Sequence, residues 1–350
     1  LSGFCLLSFL SLSAQDSLTI LFAGDAMMHQ KQLDNTRRGD FFDLGSYFAN
    51  IEREVKSADI AVVNFEVPLG GEPYSGYPAF SAPEDFALAL QKAGFDFFLL
   101  ANNHCLDRRT RGFVRTIQAL DSLGIRHTGT FLDCDHRHRT YPMLLRKKDF
   151  RIIMLNYTYG TNGLKVDIPR IINYIDKEIM KGDIAEAKLF NPDFIIANMH
   201  WGLEYERIPS REQRELADWL LRQGVPHVVQ PMELRRGKEG VTDRLVVYSL
   251  GNFISNMSRE HTDGGVMVKV VLGRKGLRRY IVSAQYSLIY SSRYKNEQGK
   301  EDIRVVTAAS WLGKNQNSSF SVDSALIKYV NNTRLFLKGN NKEVEEYIFE

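Results

Sequence analysis

Apolar residues along this chain gather in short runs that stop abruptly at polar ones. Residues 18–23 are largely apolar and end at Gly24-Asp25. Residues 60–63 end at Asn64-Phe65-Glu66, and residues 97–101 end at Asn102-Asn103-His104. Residues 194–197 end at Asn198-Met199-His200-Trp201-Gly202, and residues 245–247 lead into Tyr248-Ser249-Leu250-Gly251-Asn252. Runs of this length suit strands buried on both faces.

Amphipathic stretches alternate with these runs. Residues 44–55 carry apolar positions at helical spacing. Pro83 opens a helix that runs to Ala93 and is closed by Gly94. Helices are also predicted over 112–123, closed by Gly124, and over 176–190, which Gly182 weakens. A last one spans 210–223, with Ser210 as its cap and Gly224 as its stop. Strand–helix alternation predicts an α/β fold with a largely parallel sheet and helices on both faces. After Asn252 the pattern changes. Residues 265–272 and 280–289 read as antiparallel strands joined through 273–276, and residues from about 321 onward read as one or two helices. These boundaries divide the chain into a main domain, 18–290, and a helical C-terminal extension, 291–350.

Ligands in parallel α/β sheets bind beyond the carboxyl ends of the strands. Asp25, Glu66, Asn103, His104 and His200 all fall there. Together they offer oxygen and nitrogen ligands suited to a divalent ion such as Mn²⁺, Zn²⁺ or Fe²⁺. Two such ions about 4 Å apart clamp a hydrolytic water and a leaving oxygen, and Glu66 is placed to bridge them. His104 suits a general acid or a substrate-orienting donor. Each residue also has a plainer reading: Asp25 as a turn or cap, Glu66 as a loop carboxylate, Asn102-Asn103 as a turn, His200 as a packed histidine. Their common position at strand ends favours a shared site. His29 follows Asp25 by four residues, outside the Asp-x-His spacing of many two-metal phosphoesterases. His136 and His138 fall in a polar run, 133–139, that reads as a solvated loop, and His127 and His261 carry no further signal.

Charge and composition narrow the function. A net charge of +3 without a long Lys/Arg run argues against nucleic acid. Residues 1–14 are uncharged and rich in Leu, Phe and Ser, and they end in Leu12-Ser13-Ala14-Gln15-Asp16. That is the apolar region and cleavage zone of a secretory leader, entered after its basic start. It is shorter than the roughly 20 residues a membrane span needs. Gly3-Phe4-Cys5 is not a lipidation signal. Export to the periplasm or cell surface is therefore expected, with the mature chain starting near Gln15. Two cysteines would remain, Cys105 and Cys134, too few for a disulfide scaffold.

Six ordered motifs carry a resemblance. They are Gly24-Asp25-Ala26-Met27, Asn64-Phe65-Glu66-Val67-Pro68-Leu69, Ala101-Asn102-Asn103-His104-Cys105-Leu106-Asp107, His200-Trp201-Gly202-Leu203-Glu204-Tyr205, His227-Val228-Val229-Gln230-Pro231-Met232-Glu233 and Tyr248-Ser249-Leu250-Gly251-Asn252-Phe253. Over 18–272 the chain resembles the CapA family of poly-γ-glutamate capsule-synthesis proteins. That resemblance implies a fold similar to calcineurin-like metallophosphoesterases, with layered sheets flanked by helices and a site for one or two ions, Mn²⁺ or Zn²⁺. It makes Asp25, Glu66, Asn103, His200 and His227 metal-ligand candidates and gives Asp25 and His104 catalytic roles. Glu204 and Asn252 become substrate-binding candidates with Arg108 and Arg109. The two arginines sit with Arg111 at the start of a helix, where cations oppose the dipole by about a few tenths of a kcal/mol each. A polyanionic substrate would offset that, and a solvated basic loop is the competing reading.

One departure stands out. The family runs from the helix ending at Gln223 into another strand and then Gly-x-His-Pro-His. Here Gln223-Gly224 leads directly into Val225-Pro226-His227. About eight residues, enough for one strand and its turn, and the first histidine are missing. Two functions are expected to compete. One is an exported metal-dependent hydrolase acting on poly-γ-glutamate or another anionic polymer or small anionic substrate. The other is a non-catalytic polymer-binding or capsule-assembly protein working with other capsule-synthesis proteins.

Overall fold

The computed structural model describes residues 16–203, 205–223, 230–237, 241–257, 259, 262–296, 299–315 and 324–349. The leader expected over 1–14 and the candidates Glu204, His227 and His261 lie outside them, as do the residues around the expected deletion before Pro226.

The fold is a four-layer α/β arrangement. In the main sheet the parallel strands Asp16–Ala26, Ile60–Phe65, Phe97–Leu99 and Arg126–Thr128 lie in that order. On the other side of Asp16–Ala26 the sheet continues antiparallel through Gly264–Lys275, Arg278–Lys295 and Glu301–Thr307. A second sheet contains Met143–Lys147, Phe150–Thr158 and Phe194–His200, the last two parallel. Alternate side chains on each strand separate the layers, as the two-residue period requires. Leu21, Ala23, Val63 and Phe98 pack outward against Tyr47, Phe48, Phe86 and Leu90 of the flanking helices. Leu18, Ile20, Val62 and Phe97 face Ile152, Met154, Phe194 and Ile196 of the second sheet. The far side of that sheet, Ile153, Leu155, Ile195 and Ala197, buries Met180, Ile184, Leu216 and Leu220.

Helices follow their local chemistry. Pro83 starts Glu84–Ala93, and Gly94 ends it at φ +111°, a conformation that favours glycine. Ser210 and Gln213 form a reciprocal capping box at Arg211–Arg222. Gly182 sits inside Lys177–Leu189 with open space around it, and the Asp176 side chain caps that helix through the Glu178 and Ile179 N–H groups.

Three expectations are corrected. The helix predicted over 44–55 is two short ones, Gly45–Phe48 and Glu52–Lys56. Between them the Ile51 N–H bonds Phe48 O in a tighter turn, which buries Tyr47, Phe48, Ile51 and Val55 together. The polar run 133–139 is not a solvated loop. It forms the helix Cys134–Thr140, capped by Asp133, and Arg137 reaches the buried Asp183 at 2.7 and 2.8 Å. The boundary at 290 falls inside Arg278–Lys295, and Glu301–Thr307 extends the same sheet. The C-terminal helix Ser324–Asn340 packs Leu326, Tyr329 and Val330 onto that core. Cys105 is a buried free thiol, its pKa pushed up to about 12 by burial, and Cys134 is an exposed one.

Among the described residues the second layer has an open slot. In Thr242–Tyr248, Leu245 and Val247 join the same core as Phe194 and Ile196, while Val246 and Tyr248 join that of Ile195 and Ala197. The two strands therefore lie in one layer. Among the described residues no ladder joins them: Phe194–His200 pairs with Phe150–Thr158, and Thr242–Tyr248 pairs with Gln230–Arg236. A cleft of about 480 Å³ opens between Phe194, Ile195, Leu221, Asp243 and Arg244.

Asn156 ties the two sheets together. It is buried, its Oδ1 accepts the Ala101 N–H at 2.8 Å, and its Nδ2 donates to Asn198 O at 3.2 Å. Asn156→Ala leaves the Ala101 N–H without an acceptor, and we expect a loss of about 2–3 kcal/mol. The midpoint of urea unfolding measures it.

Candidate metal centre

Strand ends from both sheets meet at one point. The parallel ladder between Asp16–Ala26 and Ile60–Phe65 shifts register between Ala23 and Asp25. Gly24 permits this, because a Cβ there would lie 1.9 Å from Gly251 O. The Asp25 N–H then bonds Gly251 O at 3.1 Å. The bulge re-aims Asp25 at the end of the strand, and it explains why Gly24-Asp25 and Gly251-Asn252 occur as separate motifs. Glu66 follows Ile60–Phe65 directly, with its N–H on Ala26 O at 3.1 Å. His200 closes Phe194–His200 in the second sheet.

Ligand atoms of Asp25, Glu66 and His200 all lie within 4.8 Å of one another. His200 Nε2 is 2.8 Å from Asn103 Oδ1 and 3.7 Å from Glu66 Oε1. Asn64, which sequence reasoning passed over although it stands in a quoted motif, sits behind this group. Its Nδ2 donates to Asp25 Oδ1 at 2.7 Å and reaches His200 Nδ1 at 3.3 Å and Glu66 Oε2 at 3.4 Å. Asn102 supports Asn64 in turn through Asn64 Oδ1 at 3.3 Å and Phe65 O at 3.0 Å. Two carboxylates, an imidazole and an amide oxygen on one point fit a divalent cation of the Mn²⁺ or Zn²⁺ type. Carboxylates this close repel one another unless a cation lies between them.

His104 stands beside the group without joining it. A carboxylate only accepts, so the 2.8 Å contact between His104 Nδ1 and Asp107 Oδ2 puts a proton on Nδ1. Asp107 is itself fixed by the Phe80 N–H at 2.9 Å. The His-x-x-Asp spacing in Ala101–Asp107 was the signal for this pair, and only its histidine was singled out from sequence.

The remaining candidates go elsewhere. Asn252 spends its amide on Thr262 O at 2.7 Å and Ser255 Oγ at 3.2 Å, which fixes the loop after it. The Arg108 guanidinium reaches Pro73 O at 3.3 Å while its stem packs on Gly70. Arg109 is exposed at φ +53°. His127 bonds Asp121 at 3.1 Å, and His136 Nδ1 accepts the Leu132 N–H at 3.1 Å.

His29, set aside on spacing, lies close enough to His104 for their charges to oppose one another. Burial first, and His104 to a smaller extent, lower its pKa from 6.5 to about 4. A depressed histidine pKa means that the unfolded chain protonates first. Stability is therefore lost as pH falls from about 6.5 towards 4, on the order of 3 kcal/mol for His29 alone. His29→Gln should flatten the stability profile in that window, as measured by denaturant midpoints from pH 7 to pH 4.

A family of proteins has this chain's pattern. The family described as bacterial capsule synthesis protein PGA_cap matches residues 19–257. The chain belongs to this family. It is 27% identical over 284 residues to the Capsule biosynthesis protein CapA of Bacillus anthracis, covering 75% of this chain and 65% of that protein. The PGA biosynthesis protein CapA of Bacillus subtilis (strain 168) is 26% identical over 290 residues, covering 77% of this chain and 72% of that one. Solved structures similar to this chain include the NAD nucleotidase of Haemophilus influenzae, at 13% identity and TM-score 0.46, covering 93% of this chain and 61% of that one. The calcineurin-like phosphoesterase YfkN of Bacillus subtilis is similar at 14% identity and TM-score 0.45, covering 93% and 99%.

Proposed function

We propose that this PGA_cap protein is an exported, metal-dependent hydrolase that acts on poly-γ-glutamate or a related anionic cell-surface polymer. The observation that carries the reading is the meeting of Asp25, Glu66 and His200 within 4.8 Å, beside the His104–Asp107 pair. Support for the substrate class comes from the two CapA relatives, and support for export from the uncharged leader over 1–14. Among the described residues no helix is long and apolar enough to cross a membrane.

Asp25, Glu66, Asn103 and His200 would hold the ion. A divalent cation bound there supplies Lewis acidity and lowers the pKa of water towards neutrality. His104, its Nδ1–H held on Asp107, presents Nε2 to take a proton from the attacking water and then pass it to the leaving atom. Asn64 keeps Asp25 and His200 in place through its amide.

The slot beside Phe194–His200 favours a second reading, a polymer-binding assembly protein without turnover. One experiment separates the two. Protein incubated with Mn²⁺ is assayed on γ-glutamyl oligomers and on a phosphodiester, with EDTA and His104→Ala controls. The hydrolase reading expects cleavage that EDTA abolishes and His104→Ala lowers by about 10²–10⁴-fold. Metal-loaded protein that binds the oligomer without cleaving either compound overturns it in favour of the second reading.

A further inference from the structure

One aromatic ring holds two histidines. Phe80, fully buried, has His104 edge-on at 4.8 Å and His29 edge-on at 5.2 Å. Beside it Tyr77 is 71% exposed, with its ring 6.2 Å from Phe80 and 6.4 Å from His104. The loop bearing both aromatics is pressed onto the backbone that carries His29. A Cβ on Gly76 would lie 2.2 Å from the Gln30 nitrogen, and the Gly76 N–H bonds Gln30 Oε1 at 3.2 Å. His29, His104, Phe80 and Tyr77 thus form one patch, with the tyrosine open to solvent.

The two imidazoles carry their protons differently. His104 Nδ1 faces the Asp107 carboxylate, so Nδ1 is the donor. His29 Nδ1 faces the backbone N–H of Asn256 at 3.2 Å. An N–H only donates, so this Nδ1 accepts and the proton sits on Nε2. Arg293 holds Asn256 in turn, at 2.9 Å from its Oδ1, so the tautomer of His29 is fixed by a braced loop. The ring also meets Gln32, through its backbone N–H and its side chain, and among the described residues no carboxylate pairs with Nε2–H. Burial keeps this ring neutral at physiological pH, so it offers a hydrogen bond without adding a charge next to His104.

We propose that His29 Nε2–H and the exposed face of Tyr77 form a binding subsite for a substrate oxygen next to the His104–Asp107 pair. The ligand chemistry is an anionic oxygen acceptor, either a phosphoryl group or the carboxylate of a glutamyl unit. The inference rests on the reading that His104 faces the reacting bond, and it assigns His29 to substrate binding rather than to metal coordination or proton transfer.

The test uses the whole chain labelled with ¹⁵N-histidine, first metal-free and then loaded with Mg²⁺. The metal-free spectrum at neutral pH reports the tautomer, and a proton on Nδ1 of His29 overturns the proposal at once. The loaded protein is then titrated separately with inorganic phosphate and with glutarate. A saturable shift of His29 Nε2 with phosphate alone assigns a phosphoryl oxygen, and one with glutarate alone a carboxylate. No shift with either overturns the subsite. His29→Asn keeps an acceptor for the Asn256 N–H but loses the far donor, and binding should weaken about tenfold. His29→Gln places an amide N–H where Nε2–H was and should retain affinity within about threefold. Equal weakening by both variants, or none by His29→Asn, contradicts the proposal. Mg²⁺ uptake is measured on the same samples by isothermal titration. Failure of uptake sinks the metal-centre reading, whereas the tautomer and the two variants decide on His29.

Discussion

Replacing Glu66 with Gln should lower divalent-cation affinity by at least about 100-fold and leave the fold intact. Glu66 is 5% exposed, with one oxygen 3.7 Å from His200 Nε2 and the other 3.4 Å from Asn64 Nδ2. Gln keeps the shape and one acceptor but removes the charge. Loss of an outer partner of a metal ligand alone costs about 10–100-fold, so loss of a charged ligand from a group of three carries at least the upper figure. At an Mn²⁺ concentration 100 times the wild-type Kd, the cation stabilises the wild-type protein by about 2.7 kcal/mol. The variant, with a Kd equal to that concentration, would gain only about 0.4 kcal/mol. Isothermal titration and thermal unfolding with and without Mn²⁺ read the two quantities. Without metal the variant should unfold at the same temperature or slightly higher, because Asp25 then faces one carboxylate fewer. Equal affinities in the two proteins would remove Glu66 from the ligand set.

Filling the slot of the second layer should raise the unfolding temperature by several degrees. The insertion is a segment of about eight residues, an apolar run followed by a Gly turn, placed between Gly224 and Val225. Phe194–His200 and Thr242–Tyr248 share both of their cores yet no ladder among the described residues. A strand between them would bury apolar side chains on both faces, each worth about 1.5–3 kcal/mol. Ordering costs about 1–2 kcal/mol per residue and offsets most of this, and the net gain comes from the ladder hydrogen bonds to both neighbours, about 0.5–1.5 kcal/mol each. For a chain of this size each kcal/mol is worth about 2 °C or less. Metal affinity should rise as well, because the new ladder holds the strand that ends in His200. A Gly/Ser insertion of the same length is the control and should not stabilise. Calorimetry in which the apolar and Gly/Ser insertions behave alike would show that the slot takes no strand.

Legibility in the sequence followed local chemistry. Asp25, Glu66 and His200 were readable because an apolar run stopping at a polar residue marks a strand's carboxyl end. That His200 stands on a different sheet from Asp25 and Glu66 was not readable, because layering depends on which core each strand joins. The strands Met143–Lys147 and Phe150–Thr158 went unassigned although Ile152-Ile153-Met154-Leu155 is a continuous apolar run. No site-like motif follows them, so nothing drew attention there. Asn252 looked like a ligand-binding residue, but its motif serves the close backbone crossing of Gly24 with Gly251 and the loop that its amide ties down. His29 was set aside on spacing from Asp25. Its place depends on Phe80 and Asn256, 51 and 227 positions away, and no local pattern encodes such contacts.

The measurement that tests the metal centre most directly is anomalous diffraction at the manganese edge from crystals grown with Mn²⁺. The account predicts a peak between Asp25, Glu66 and His200, about 2.0–2.3 Å from the ligand atoms of each, with Asn103 Oδ1 turned from His200 towards the ion. A peak elsewhere, or none at this point in crystals whose solution saturates the protein with Mn²⁺, would contradict it.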